Sequence, residues 1–534
     1  MAGEEGVWRV PWLGRPSVEG LRDYISLHRQ GLITLALTFG VVLATFVVYR
    51  LTYYGAAAHN HPVRLADAFL HGRLDVADGA NLIGFLDFAI YDGKYYPLEP
   101  PGTALVLLPG VALFGLALNQ TLVSIVIGAI TAGVVFHLSR RLTDKPWEQL
   151  VLTAMFSFGT VYWWNSTYAG VWYFNHAVAV LFLFLAVYET LVSKRPFTAG
   201  LALGAAYITR LPTIMSLPFF VIMFAQWRLG SEPGGPLRLT DYRPRRLIAL
   251  LRRIDYRPLV LFGAGVGIFV AALSIYTYVR FDELSPSASY YHWSVWETQP
   301  WLSVPGGTFE NGLFDTSYVS RHISLFFEKP LYMQSAAPYV LPSWNGAAFW
   351  ATTPVFLYAF LAGVSKRWLR LAGGAGMVLS IGVFAVLPNL GRGPGHLPWF
   401  DWAQWDVAHN LNLLPFFLLI AYGLYAGVRG NKLVLGCWLA IILISFVHFT
   451  VGVTGWPQFG YRYQLDYAPF LFLLTWQGMG GRLKWHHVVL ITIGIVINLG
   501  GVLWINEFSQ PGAGWVELRL ESALGQDGIQ WVNW

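Results

Sequence analysis

The sequence predicts an all-α protein that crosses a membrane many times. Hydrophobic residues make up 55% of its 534 residues, and charged residues make up only 12%. A soluble domain usually carries about 25% charged residues. Apolar stretches recur along the whole chain, and roughly 20 apolar residues are enough for a transmembrane helix. We therefore expect one transmembrane domain over residues 1–534, with about 13 membrane-spanning helices.

The predicted spans follow the apolar segments in order. They are residues 31–50, 120–138, 149–163, 171–191, 197–209, 211–227, 259–279, 346–364, 371–388, 412–428, 432–452, 467–480 and 487–505. The run 103–118 is also apolar but is short and contains Pro109 and Gly110. We predict that it is a juxtamembrane helix at the interface rather than a span.

The distribution of basic residues predicts the orientation. With the N-terminus in the cytoplasm, most of the 35 Lys and Arg residues fall in cytoplasmic segments, above all in the basic loop 228–258. This follows the positive-inside rule, so the net charge of +6 requires no nucleic acid partner. That loop is interpreted as a topology anchor or as a contact for anionic membrane lipids. The long segments 51–119 and 281–345, the smaller segments 389–411 and 453–466 and the short tail 506–534 then lie on the outer side of the cell membrane.

Two further patterns narrow the classes of function. The only cysteine, Cys437, excludes an intrachain disulfide framework and a cysteine metal site. The predicted spans carry no Asp, Glu or Lys near their middle, although an ion-coupled carrier often does. The ionisable residues concentrate instead at the predicted outer face, which favours a reaction at that membrane–water boundary.

The densest cluster of ionisable residues lies in the first external loop, between Arg64 and Pro109. The alternative interpretation is a solvated loop. In a hydrophobic protein, however, so many carboxylates in one loop are expected to take part in catalysis or in the binding of a charged ligand. The six acidic residues are Asp67, Asp75, Asp78, Asp87, Asp92 and Glu99, and the three basic ones are Arg64, Arg73 and Lys94.

Asp87 is the candidate general base of this loop. It lies between Gly-Phe-Leu and Phe-Ala-Ile-Tyr, and apolar surroundings raise the pKa of a carboxyl group and make it a better proton acceptor. Asp92-Gly93 predicts a tight turn between two aromatic arms. Asp67 lies four residues before His71, so it is either a local hydrogen-bond partner or a second acid or metal ligand. Glu99 precedes Pro100-Pro101, which predict an extended chain and then a helix start, so Glu99 either caps that helix or faces the site.

The segment 87–103 (DFAIYDGKYYPLEPPGT) and the apolar helix after it resemble the first external loop of the bacterial GT-C glycosyltransferases. The resemblance is to their dolichyl- or polyprenyl-phosphate mannosyltransferase-like group of integral membrane proteins. Further motifs in the same order extend the likeness over most of the chain. They are 163–167 (WWNST), 172–177 (WYFNHA), 208–212 (ITRLP), 280–281 (RF), 290–292 (YYH), 312–314 (GLF) and 459–466 (FGYRYQLD).

This resemblance implies transfer of a sugar, with inversion, from a polyprenyl-phosphate carrier to a lipid, glycan or protein acceptor. An acid of the first external loop is the general base in that class, and here it maps onto Asp87. The resemblance implies no cofactor. A divalent metal is not expected either, because no second acid adjoins Asp87 in the sequence.

An anionic leaving group needs cations to hold it. Arg462 is the first candidate and Arg210 the second, with snorkelling at a helix end as the alternative for Arg210. Further candidates for substrate contacts are Lys94, Tyr96, His176 and Arg321, although His176 could be a satisfied polar residue. Aromatic side chains of these loops, Tyr96 among them, could stack on the substrate or form the usual interfacial belt.

Two other functions remain open. The first is a transporter or lipid scramblase, which would need a polar path across the bilayer. The second is a glycan polymerase or ligase that uses a diphosphate-linked donor. The sequence identifies neither the sugar nor the acceptor.

Overall fold

The computed structural model describes residues 18–53, 55–57, 59–82, 87–227, 254–304, 307–328, 332–333, 340–341, 345–383, 412–455 and 458–508. Most of the basic loop 228–258, all but residues 506–508 of the tail, and the segment 384–411 lie outside these residues. The described chain is mostly helical, which confirms the predicted class of a helical membrane protein.

The first half of the chain contains ten α-helices and one hairpin among the described residues. The helices are α1 (Val18–Leu51), α2 (His61–Leu70), α3 (Gly79–Leu82), α4 (Gly102–Phe114), α5 (Gln120–Leu142), α6 (Pro146–Ser157), α7 (Tyr162–Tyr168), α8 (Val171–Tyr188), α9 (Pro196–Tyr207) and α10 (Leu217–Phe224). The hairpin strands are β1 (Phe88–Tyr91) and β2 (Lys94–Pro97). A π-turn, Glu189–Ser193, extends α8, and a 3-10 segment, Leu211–Ser216, precedes α10.

The second half adds ten α-helices and six short strands among the described residues. The helices are α11 (Arg257–Phe281), α12 (Ala288–Tyr291), α13 (Val295–Thr298), α14 (Val319–Phe327), α15 (Phe349–Thr352), α16 (Arg367–Ile381), α17 (Leu414–Val428), α18 (Lys432–Phe449), α19 (Ala468–Gly478) and α20 (Trp485–Phe508). The strands are β3 (Gln226–Trp227), β4 (Ile254–Asp255), β5 (Tyr332–Met333), β6 (Val340–Leu341), β7 (Asn345–Ala347) and β8 (Gln458–Gly460). They pair as β3–β4, β5–β6 and, in parallel, β7–β8.

Six described helices are long and apolar enough to cross a membrane, and each coincides with a predicted span. They are Gly31–Leu51, Gln120–Leu142, Val171–Ser193, Arg257–Phe281, Lys432–Phe449 and Trp485–Leu503. The other seven predicted spans are shorter or broken within the described residues. The segment 149–163, for example, divides into α6 and α7, and 346–364 divides into α15 and the 3-10 segment Pro354–Leu361. The count of 13 is therefore not confirmed.

The run 103–118 forms α4, a 13-residue helix with Pro109 inside it, followed by a 3-10 turn at Gly115–Ala117. It is one of the shorter apolar helices rather than one of the six long ones, and its position at the membrane interface stays a prediction.

Local sequence explains the ends of the elements that carry the site. Asn119 caps α5 by accepting hydrogen bonds from the backbone N–H groups of Thr121 and Leu122. Asp92 and Gly93 have φ of 49° and 68°, as a type I′ turn requires, so the predicted Asp-Gly turn between aromatic strands is confirmed.

The main apolar core packs around the 3-10 segment Arg462–Tyr467, every residue of which is buried. Contacts with α7, α8, α18 and α19 surround this segment. The pairing of β7 with β8, Asn345 with Gln458 and Ala347 with Gly460, holds the chain just before it. The polar residues of 458–466, which the sequence interpretation assigns to an external loop, are thus enclosed by helices.

Candidate functional site

The β1–β2 hairpin brings Asp87 and Glu99 together. Phe88 pairs with Pro97, and beyond this last pair the Leu98 N–H donates to the Asp87 carbonyl oxygen over 3.0 Å. The two carboxyl groups therefore flank the open end of the hairpin. Both side chains are buried, and Asp87 Oδ2 and Glu99 Oε2 have no hydrogen-bond partner among the described residues.

Burial governs the protonation of this pair. It raises the pKa of Asp87 to about 7, against the opposing effects of a Trp172 hydrogen bond and the Arg462 charge. Burial and then the neighbouring Asp87 charge raise the pKa of Glu99 well above its usual range. Like charges so close disfavour double ionisation. Burial and the mutual repulsion of the two carboxylates therefore both favour the retention of a proton by the pair.

Arg462 supplies the cation beside these acids. Its Cζ lies 4.7 Å from the centre of the Tyr173 ring and 5.7 Å from that of Tyr463, so aromatic faces hold the guanidinium. Its charge acts on both Asp87 and Glu99. Nε and Nη1 are buried and find no hydrogen-bond acceptor among the described residues, which is rare for a buried cation.

Asp466 forms the centre of a second, buried network. Its carboxylate accepts hydrogen bonds from His176 Nδ1 at 2.8 Å and from His448 Nε2 at 2.9 Å. Arg210 donates to it from Nε at 3.1 Å and from Nη2 at 2.8 Å. Burial alone raises the pKa of Asp466, but Arg210 and His176 outweigh it and hold that pKa well below its usual range.

The structure brings five sequence candidates into one region: Asp87, Glu99, His176, Arg210 and Arg462. Arg210 and Arg462 both act electrostatically on Glu99, and Asp466 links His176 to Arg210. Helix α8 connects these groups because Trp172 bonds Asp87, while His176, one turn later, bonds Asp466.

The remaining polar candidates lie elsewhere. Asp67 is on α2, where His71 Nδ1 lies 2.8 Å from the Asp67 carbonyl oxygen and 3.6 Å from its carboxylate. Lys94 is exposed at the hairpin turn. Arg321 Nη1 donates to the backbone oxygens of Thr308 and Gly452 at 3.2 and 2.8 Å, so it joins two loops.

Tyr96 belongs to the packing that fixes the hairpin. Arg280 lies over its ring at 4.8 Å and donates to the Pro97 carbonyl oxygen at 2.9 Å. Phe281 packs edge-on against the same ring. Tyr96 thus attaches the hairpin to the end of α11 rather than facing the buried acids as a free stacking surface.

Asp466 and His448 were not predicted as site residues from the sequence. A signal for Asp466 was available, because an aspartate at the start of an apolar segment needs cationic or hydrogen-bonding partners. The partners themselves lie 256 and 290 residues away in the chain.

Among the described residues, no group of three or more His, Cys, Asp and Glu side chains could hold a metal ion. The imidazoles of His176 and His448 direct N–H groups at Asp466, because a carboxylate only accepts hydrogen bonds.

The region thus combines a buried carboxyl group, Asp87, whose pKa is about 7, with the guanidinium of Arg462, whose Nε and Nη1 have no acceptor among the described residues.

No family model, curated protein or solved structure matches the chain.

Proposed function

We propose that this protein is an inverting glycosyltransferase. It moves a sugar from a polyprenyl-phosphate donor to a lipid, glycan or protein acceptor at the outer face of the cell membrane. The observation that carries the proposal is the buried Asp87 beside the buried Arg462. Asp87 Oδ2 and the Nε and Nη1 donors of Arg462 have no hydrogen-bond partner among the described residues. A base and an uncommitted cation in one apolar site suit the removal of a proton and the departure of an anion.

The reaction is a single displacement. The acceptor hydroxyl oxygen attacks the anomeric carbon while its proton passes to the Asp87 carboxylate. The bond between the anomeric carbon and the phosphate oxygen breaks, and its electron pair stays on the phosphate. The carrier phosphate thereby changes from a diester with one negative charge to a monoester with a second charge, which the guanidinium groups stabilise. Asp87 then releases the proton to water.

The GT-C-like arrangement of about 13 spans belongs to this proposal. Its orientation rests on the distribution of Lys and Arg, which leaves the first external loop 51–119 and the segment 281–345 on the outer side of the cell membrane. The family resemblance implies that 281–345 covers the site. The predicted spans that form only short or interrupted α-helices would then cross the membrane as pairs of short helices, or as tilted and irregular segments packed inside the protein.

The orientation predicts the accessibility of single cysteines. The native Cys437 is buried, so a cysteine introduced by Asp92→Cys at the exposed hairpin turn is the only reactive thiol expected outside. We expect a membrane-impermeant maleimide to label Asp92→Cys on intact cells and Lys432→Cys only after permeabilisation. Labelling of Lys432→Cys alone on intact cells would reverse the orientation and contradict the proposed outer site.

The pKa of Asp87 predicts the pH dependence of transfer. Only the ionised carboxylate accepts a proton, and its pKa is about 7. We therefore expect kcat/KM to rise about tenfold per pH unit below that value and to level off above it. A profile measured from pH 5.5 to 8.5 that is flat below 7 would exclude Asp87 as the base.

The function itself is tested by transfer in proteoliposomes from radiolabelled polyprenyl-phosphate sugars, with the matching diphosphate-linked sugars in parallel. We expect turnover with a monophosphate-linked donor. Turnover with diphosphate-linked donors alone would replace the proposal by a polymerase or ligase, and flux of lipid without transfer would replace it by a scramblase.

A further inference from the structure

The Asp466 carboxylate joins four parts of the chain that are distant in sequence. His176 comes from α8, Arg210 from the junction before the segment Leu211–Ser216, and His448 from the end of α18. Asp466 itself is fully buried in the segment Arg462–Tyr467. The network therefore fixes how these elements meet beside Arg462.

The pairing fixes the plane of the Arg210 guanidinium. Nε and Nη2 both donate to Asp466, and a planar guanidinium held by two neighbouring donors cannot rotate about its last bonds without breaking one of them. Nη1 takes part in no hydrogen bond among the described residues. Asp466 thus uses one edge of Arg210 and leaves the other edge for a different acceptor.

Arg210 and Arg462 lie around the same aromatic ring. Their Cζ atoms are 5.6 and 5.7 Å from the centre of the Tyr463 ring. His448 stacks on that ring at 4.4 Å with an interplanar angle of 11°, so the aromatic residue next to both cations is itself held by a partner of Asp466. The two guanidinium groups differ, since Arg210 is oriented by a carboxylate, whereas the buried Nε and Nη1 of Arg462 have no acceptor in the part of the chain that the structure describes.

We propose that Asp466 is a positioning residue for the binding of the donor phosphate. It holds Arg210 so that Nη1 and the free N–H groups of Arg462 bind the same phosphate group. This inference rests on the proposed function and adds to it the residue that assembles the anion site. If the Arg210–Asp466 pair served only for packing, a neutral pair of similar size could replace it, as is often true of buried ion pairs. If the pair presents a cation to the phosphate, a neutral pair cannot replace it.

The test measures the binding of undecaprenyl phosphate to the full-length protein in detergent, with undecaprenol as the uncharged probe. Four variants are compared with the wild type. They are Asp466→Asn, Asp466→Glu, the neutral pair Arg210→Gln with Asp466→Asn, and the control Asp92→Asn at the exposed turn. The neutral pair keeps side-chain hydrogen bonding without a buried unpaired charge, so it preserves the fold where Asp466→Asn alone destabilises it. Thermal unfolding reports folding for each variant.

We expect the wild type and Asp92→Asn to bind undecaprenyl phosphate at least about tenfold more tightly than undecaprenol. The neutral pair should lose that preference while keeping its affinity for undecaprenol, and Asp466→Glu should bind the phosphate better than Asp466→Asn. A folded neutral pair with the wild-type preference would overturn the positioning role alone. A wild type without any preference for the phosphate would overturn both the anion site and the proposed function.

Discussion

Replacing Asp87 by asparagine is expected to lower the rate of sugar transfer by about 10²- to 10⁴-fold, the range in which general bases contribute. Asparagine keeps the shape of the side chain and its hydrogen-bonding capacity toward Trp172, but it cannot accept the proton of the acceptor hydroxyl. The expected loss is therefore in kcat, with little change in the KM for the donor. Initial rates at saturating donor, measured at pH 8, give the comparison.

Stability separates a catalytic Asp87 from a structural one. Its pKa in the folded protein lies above the ordinary value of 3.8, so the folded state binds this proton more tightly than the unfolded state. The stability of the protein then falls as the pH rises from about 4 to about 7, and the ionised carboxylate remains unfavourable above that range. Asp87→Asn removes this cost.

We therefore expect the thermal midpoint of Asp87→Asn at pH 8 to equal or exceed that of the wild type. The matched control is Asp92→Asn, which changes an exposed residue of the same hairpin and tolerates the positive φ of the turn. It should keep full activity. An Asp87→Asn protein with wild-type rates would show that another group takes the proton.

The relation between Asp87 and Glu99 could have been predicted from the sequence. Once Asp92-Gly93 is accepted as a two-residue turn, Tyr91 must face Lys94 and Phe88 must face Pro97. Asp87 and Glu99 then meet at the open end. The two acids are not adjacent in the sequence, so the raised pKa of both carboxyl groups depends on a pairing that only the hairpin register reveals.

Long-range partners could not be predicted from one sequence. Arg210 and Asp466 are 256 residues apart, and no periodicity or motif states which of the chain's carboxylates a given arginine meets. The burial of polar residues within 453–466 could not be predicted for a related reason, and the assignment of this segment to the outer side stays a prediction. Hydropathy averages a window, so the polar Gln458, Arg462 and Asp466 gave no indication that they are buried.

Hydropathy also counts apolar residues without measuring helix continuity. Gly159 interrupts the segment 149–163 between α6 and α7, and Pro354 begins a 3-10 segment within 346–364. Proline and glycine can interrupt an α-helix without lowering the hydropathy of the segment much. The six long helices carry glycines but no proline beyond their first turn, so their continuity could be predicted, whereas the shorter ones depend on packing for their shape.

Replacing Arg462 by methionine is expected to lower kcat/KM for the donor by roughly tenfold to a hundredfold, as the loss of charge-assisted hydrogen bonds implies. Arg462 Nε and Nη1 have no acceptor among the described residues, so the wild type carries the cost of burying them in the absence of substrate. The variant removes that cost. We therefore expect its thermal midpoint to stay unchanged or to rise while its activity falls, which is the behaviour of a binding residue that is unfavourable for folding.

A second readout ties Arg462 to Asp87. The Arg462 charge lowers the pKa of Asp87 against the effect of burial, so without it the pKa rises further and the pH dependence of transfer moves to higher pH. Arg210→Met is the contrasting variant, since it leaves the Asp466 carboxylate buried without its cation and should lose both stability and donor binding. An Arg462→Met protein that is strongly destabilised, with an unshifted pH profile, would make Arg462 a packing residue. A cation that serves ligand binding is not needed for the stability of the fold, yet its charge still lowers the pKa of the neighbouring Asp87.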